Sequence, residues 1–164
     1  MRIARPTAQF AFGHPAHFVA LGFGAGLSRF APGTAGTLVA FPVWWLIGPA
    51  YQPIVLFALL ALLFAVGVWA CELTGRHLGV SDHGAMCWDE IVAFLLVLAV
   101  TPEDPLWQAA AFFLFRAFDV VKPPPIRQFE MRFKGGFGVM FDDILAAGDT
   151  LLVLAVVKRA WAFL

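Results

Sequence analysis

The sequence predicts an all-α fold: a polytopic membrane helical bundle of about four or five membrane helices, with its polar segments at the cytoplasmic face. Three observations predict it. First, the AVILMFWYC set supplies 61% of the 164 residues and charged residues only 13%, against roughly 25% in an ordinary globular chain. With a mean hydropathy of +0.82, a soluble domain of this size would have more apolar side chains than core to hide them. Second, no Lys, Arg, Asp or Glu occurs from Phe30 to Cys71, a run with room for two spans of about 20 residues each. Third, with the N-terminus cytoplasmic, alternating spans place every Lys and Arg except Lys158 and Arg159 on the inner side. These features exclude a disordered chain, a coiled coil and an ordinary water-soluble enzyme, and the length fits one domain over residues 1–164.

The elements follow in order. Residues 1–35 are rich in Pro and Gly, with Phe and His among them. Arg2 and Arg5 resemble the start of a signal peptide, but the stretch after them is interrupted by Pro, His and Gly, so no cleaved signal is expected. Apolar segments at about 36–50 and 53–75 are separated by a turn, Gly48-Pro49-Ala50-Tyr51-Gln52-Pro53. A polar segment, Glu72–Glu90, precedes the apolar Ile91–Pro102, which at 1.5 Å per residue covers about 18 Å of a hydrocarbon core of about 30 Å. To span, it must recruit Ala85–Glu90, which carries Asp89 and Glu90 toward headgroup depth. Thr101–Pro105 is a turn, Leu106–Val121 is apolar again, and a second polar segment, Lys122–Asp143, leads into a last helix at about 144–163. If 36–50 is re-entrant, four spans remain and the C-terminus returns to the cytoplasmic side.

Three polar segments, 28–37, 72–90 and 116–143, therefore converge on one membrane face. Asp82, Asp89 and Glu90 are hard oxygen ligands of the kind Mg²⁺ takes. Adjacent Asp89 and Glu90 point about 100° apart on a helix, so one suits a metal and the other a water or a base. Asp142 and Asp143 form a second acidic pair at the expected start of the last helix. Both pairs also read as solvated acids favoured by a helix N-terminus, but two such pairs beside a bilayer repel without a cation. Asp149 reads as a polar contact between helices. Arg116, Asp119 and Lys122 recur at i, i+3 and i+6, Arg127 lies beyond Pro123-Pro124-Pro125, and Lys134 precedes two glycines. Arg and Lys suit phosphate oxygens, and they equally suit lipid headgroups by snorkelling. Pro32-Gly33-Thr34-Ala35-Gly36-Thr37, just before an apolar helix, makes an anion cradle or a close-packing face. His14 and His17 read more readily as interfacial residues than as ligands, and Glu72 with Arg76 is a structural i, i+4 pair. Cys71 and Cys87 form no paired motif and open no cysteine-phosphatase loop, and no Gly-x-Ser-x-Gly occurs. Zero net charge gives no bulk attraction for nucleic acid, so none is expected as a partner. The chemistry reads as metal-assisted attack of water on a phosphate ester at the membrane surface.

The chain resembles the phosphatidylglycerophosphatase A family from about His17 to the last helix. The matching blocks are Gly22–Ser28, Ala31–Thr37, Gly79–Gly84, Trp88–Ile91, Phe115–Pro123, Pro125–Arg127, Lys134–Gly136, Gly138–Met140 and Asp142-Asp143. The resemblance implies Mg²⁺-dependent hydrolysis of the terminal phosphate of phosphatidylglycerophosphate to phosphatidylglycerol, in the bacterial inner membrane with the site facing the cytoplasm. It implies Asp82, Asp89, Glu90, Asp142 and Asp143 as metal positions, with Asp82, Asp89, Glu90 and Asp143 catalytic. It assigns substrate contacts to Gly33, Thr34, Thr37, Arg116, Lys122 and Arg127. Ala93, Pro124 and the placement of Gly148 depart from the family pattern without removing a charged residue. A phosphotransferase using the same metal, a phosphatase of another lipid phosphate and a non-catalytic membrane protein are the alternatives, and a homo-oligomer stays open.

Overall fold

The computed structural model describes residues 5–48 and 52–161, and among these every regular element is helical. Two short helices, α1 (Ala8–Gly13) and α2 (Pro15–Ala20), and a 3-10 turn (Gly22–Leu27) precede α3 (Pro32–Ile47) and α4 (Pro53–Leu78). The chain continues through α5 (Trp88–Val100), α6 (Pro105–Val121), α7 (Ile126–Arg132) and α8 (Gly135–Trp161). The turn expected at 48–53 falls largely outside the described residues.

Local chemistry sets the helix ends. Pro occupies the first position of α2, α3, α4 and α6, where its missing N–H has no partner to lose. Asp104 caps α6, its carboxylate accepting from the amides of Leu106 at 2.9 Å and Trp107 at 3.1 Å. Gly79, with φ of 73°, ends α4, and the following Val80 N–H donates back to the Gly75 carbonyl. The last helix starts about nine residues before the position expected from sequence. Glu72, on α4, accepts from the Gly136 amide at 2.8 Å and so satisfies the start of α8 from a neighbouring helix. A Cβ on Gly136 would collide with the Val68 carbonyl, so glycine is what lets α8 seat there. Asp142 and Asp143 accordingly stand two turns inside α8 and not at its N-terminus.

The centre of the bundle is α5. Ten of its residues, Trp88–Leu95 with Val97 and Leu98, are buried, and α3, α4, α6 and α8 pack around it. Its 13 residues reach about 20 Å, short of a hydrocarbon core, and its neighbours enclose what a lone span would expose to lipid. Phe94 anchors the packing, with ring centroids 5.3, 5.9 and 5.5 Å from those of Phe41, Phe112 and Phe115. Among the described residues, α4 is the helix both long and apolar enough to cross a membrane; α3 is apolar but shorter. Large apolar side chains face outward on several helices, among them Trp45, Leu46, Ile54, Leu62, Phe113, Leu152 and Val156.

Candidate active site

The first turn of α5 and the third turn of α8 meet in the interior. There one carboxylate oxygen from each of Asp89, Glu90 and Asp143 lies within 4.8 Å of the others. All three side chains are buried, and Asp89 Oδ1, Glu90 Oε2 and Asp143 Oδ2 have no hydrogen-bond partner. Burying one unpaired carboxylate is costly, and three together cost far more. A hard, oxygen-seeking divalent cation fits this donor set, because oxygens of three acids converge and each acid also carries an oxygen without a partner.

Cations stand beside the acids. Arg116, on α6, places Nη1 2.6 Å from Asp119, 3.5 Å from Glu90 and 3.4 Å from the Thr37 hydroxyl. Lys122, where α6 ends, pairs with Asp142 and lies 3.2 Å from Glu130. Burial alone would lower the Lys122 ammonium, but its hydrogen bond to Asp142 and the charge of that carboxylate outweigh this and hold it above its usual range.

The small residues at the start of α3 complete the centre. Gly33 lies directly against the Glu90 carboxylate and the Arg116 guanidinium. Thr37 is buried and donates to the Gly33 carbonyl at 3.0 Å, while Thr34 is half-buried on the same turn. A Cβ at position 33 would come within 3.0 Å of Arg116 Nη2 and overlap Glu90 Oε1. Gly33→Ala is therefore expected to lower phosphate-ester turnover by about tenfold or more by displacing both groups, with the helical circular-dichroism spectrum retained.

The structure thus gathers Asp89, Glu90, Asp143, Gly33, Thr37 and Arg116 around one point. Asp142 and Lys122 lie alongside as an ion pair. Asp82 stands exposed on the loop between α4 and α5 and lines a small 90 Å³ cavity with Glu130, Lys134 and Asp142. Arg127 is exposed on α7. Asp119 and Glu130 complete the charge network, and sequence reasoning did not place them in the site. The i, i+3 spacing of Asp119 from Arg116 was the available signal for the first; Glu130 had none, because it meets Lys122 only after the chain folds back into α7. The Glu72–Arg76 pair forms as expected, at 2.8 Å. His17 takes no part in the acid centre: its Nε2 lies 2.7 Å from His77 Nδ1 and its Nδ1 2.9 Å from the Phe10 carbonyl.

Fold and donor set define a class: a helical protein whose buried carboxylates suit a divalent cation and whose flanking Arg and Lys suit phosphate. Comparison with known proteins makes it specific. The profile of the phosphatidylglycerophosphatase A family matches residues 18–158. Phosphatidylglycerophosphatase A of Escherichia coli strain K12 is 40% identical over 150 residues, covering 90% of this chain and 86% of its own. The Haemophilus influenzae protein of the same name is 39% identical over 158 residues, 93% of this chain and 94% of its own. A Bacteroides thetaiotaomicron protein, provisionally named phosphatidylinositol-3-phosphatase, is 39% identical over 147 residues, 85% of this chain and 91% of its own. No solved structure matches the chain. The chain belongs to the phosphatidylglycerophosphatase A family and is a phosphatase.

Proposed function

We propose that this protein hydrolyses the terminal phosphate monoester of phosphatidylglycerophosphate, releasing inorganic phosphate and leaving phosphatidylglycerol, with Mg²⁺ as its metal. The observation that carries the reading is the trio of buried acids, each with an unpartnered oxygen, in a chain of this family. Asp89, Glu90 and Asp143 would hold the cation, and Asp82 and Asp142 stand near enough in the fold to serve as further acidic positions. When bound, Mg²⁺ offsets phosphate charge and lowers the pKa of a coordinated water.

The chain's own residues supply the rest. Arg116 and Lys122 present donors to the non-bridging oxygens, and Arg127 on α7 contributes from the surface. The small residues Gly33, Thr34 and Thr37 leave space for the phosphate against Glu90 and Arg116. A carboxylate of the α5 pair accepts the proton as water oxygen bonds to phosphorus. The bond from phosphorus to the glycerol oxygen breaks, and that oxygen takes up the proton the carboxylate received and leaves as the product's hydroxyl.

The outward apolar side chains of α3, α4, α6 and α8 support a multi-pass membrane domain spanning the whole chain. The distribution of Lys and Arg supports a bacterial inner-membrane location with the site at the cytoplasmic face. The relative named for phosphatidylinositol 3-phosphate favours a second reading, hydrolysis of that lipid.

The test is inorganic phosphate release by the purified protein in detergent, from each lipid, with Mg²⁺ and with EDTA. Release from phosphatidylglycerophosphate with Mg²⁺, lost in EDTA, is the expected result. Release only from phosphatidylinositol 3-phosphate moves the function to the second reading. No release from either, by folded protein, overturns both.

A further inference from the structure

We propose that a second anion site, beside the start of α3, binds the phosphodiester of the substrate, the phosphate that stays on the lipid after hydrolysis. The proposal rests on the phosphatidylglycerophosphate reading and adds a subsite to it. The observation is a cavity of about 520 Å³ whose walls come from three separate stretches of chain. Arg5 lies ahead of α1, Ser28 and Arg29 follow the 3-10 turn, Pro32 opens α3, and His83 and Gly84 belong to the loop before α5. No Asp or Glu lines it, in contrast to the acid centre.

Its cationic groups are positioned by the backbone. Arg5 Nη1 donates to the Arg29 carbonyl at 3.3 Å, which ties the Arg5 side chain to the Arg29 backbone, and both arginines line the cavity. His83 Nδ1 accepts from the Ala85 amide at 3.1 Å, so the neutral ring carries its proton on Nε2 as a further donor. The walls are locked together, since a Cβ on Gly26 would overlap the Ala85 carbonyl oxygen. The cavity is therefore formed before any ligand arrives.

Its place in the fold matches the substrate. Pro32 lines the cavity, and the next residue, Gly33, lies against Glu90 and Arg116. The cavity and the acid centre are thus separated by a single turn of backbone. Phosphatidylglycerophosphate carries a monoester and a diester joined through one glycerol. With the monoester at the acids, the diester falls next to that turn. Phe30, adjacent to Arg29, is 87% exposed. An exposed aromatic beside an arginine is the composition of a membrane interface, the depth at which a lipid phosphodiester lies. Phosphatidylinositol 3-phosphate, in the name of the Bacteroides relative, also pairs a diester with a monoester across a polyol.

The experiment uses the full-length protein and the Arg5→Gln/Arg29→Gln double variant in nonionic detergent micelles containing a small fraction of lipid. Three constants are measured: KM for phosphatidylglycerophosphate, Ki for phosphatidylglycerol and Ki for inorganic phosphate. Phosphatidylglycerol has the diester without the monoester; inorganic phosphate is the product freed at the acid centre and lacks the diester and its lipid. The expected result is a rise of about tenfold in KM and in the ratio of the phosphatidylglycerol Ki to the phosphate Ki, with recovery in Arg5→Lys/Arg29→Lys. An unchanged ratio, whether both Ki values rise together or neither moves, overturns the proposal. So does an effect confined to anionic vesicles, which would mean that the arginines respond to the bulk lipid surface. If the wild type releases no phosphate from phosphatidylglycerophosphate, the failure lies with the function proposed above. Direct titration with phosphatidylglycerol then decides the cavity: binding weakened by the double variant supports a diester site, and equal binding overturns it.

Discussion

Asp143→Asn should remove turnover almost completely while leaving the protein at least as stable as wild type in EDTA. The substitution preserves the shape of the side chain and replaces one charge in a cluster of three. Asp143 and Asp89 come from different helices, α8 and α5, so the cluster exists only because the two helices cross there. Without a cation the three carboxylates repel one another at close range in a buried setting, and deleting one charge relieves that repulsion. The amide is a poor substitute as a ligand, because it carries no charge and directs N–H donors at Asp89 and Glu90. We expect kcat/KM to fall by about a thousandfold, equivalent to about 4 kcal/mol of transition-state stabilisation. Thermal unfolding in detergent provides the cross-check. Mg²⁺ should raise the Tm of wild type by binding the folded state, and should raise that of Asp143→Asn little. Retained turnover in the variant would remove Asp143 from the site, and an equal Mg²⁺ shift in both proteins would place the cation elsewhere.

The sequence made the acid centre legible because carboxylates are conspicuous in so apolar a chain. Asp89-Glu90 and Asp142-Asp143 stand out where a charge needs a partner or a purpose, and physical chemistry alone singles them out. Helices bounded by local signals were equally readable: Pro105 with its Asp104 cap opens α6, and Pro53 opens α4, close to the expected limits. What sequence could not place depends on distant contacts. Residues 1–35 read as a Pro/Gly-rich entry with Phe and His. Here two short helices and a turn are held by His17 meeting His77 at 2.7 Å and by Cys87 N–H donating to the Ala20 carbonyl at 2.9 Å. Helices of six residues have too little periodicity to announce themselves and too little local stability to stand alone. The start of α8 was hidden for a similar reason: its cap is Glu72, more than sixty residues earlier in the chain. The short apolar segment of α5 illustrates the ambiguity of length, since a run of that size suits a buried core helix as well as an incomplete span.

Arg116 offers the second large effect, and here three variants separate support from chemistry. The guanidinium touches Asp119, Glu90 and Thr37 at once, and its side chain is only 16% exposed. Arg116→Lys keeps the positive charge but loses the planar fork that can face two acids and a phosphate together. Its kcat/KM should drop by about a hundredfold, the scale of losing one aligned donor to a developing charge. Arg116→Gln goes further, leaving Asp119 and Glu90 without their compensating cation, and should destabilise the protein by about 2 kcal/mol, a partial form of the cost of breaking a buried pair. Adding Asp119→Asn removes one of the orphaned charges. The Arg116→Gln/Asp119→Asn protein should therefore regain most of the lost stability in thermal unfolding while its turnover stays low. If turnover returned together with stability, Arg116 would be only a support for the acid centre. If Arg116→Lys were fully active, a point charge would suffice and the planar fork would not matter. The arrangement favours turnover that stays low, because Arg116 already spends one nitrogen on Asp119 and its Nε is buried without a partner, leaving the outer edge of the fork facing Gly33 and Glu90.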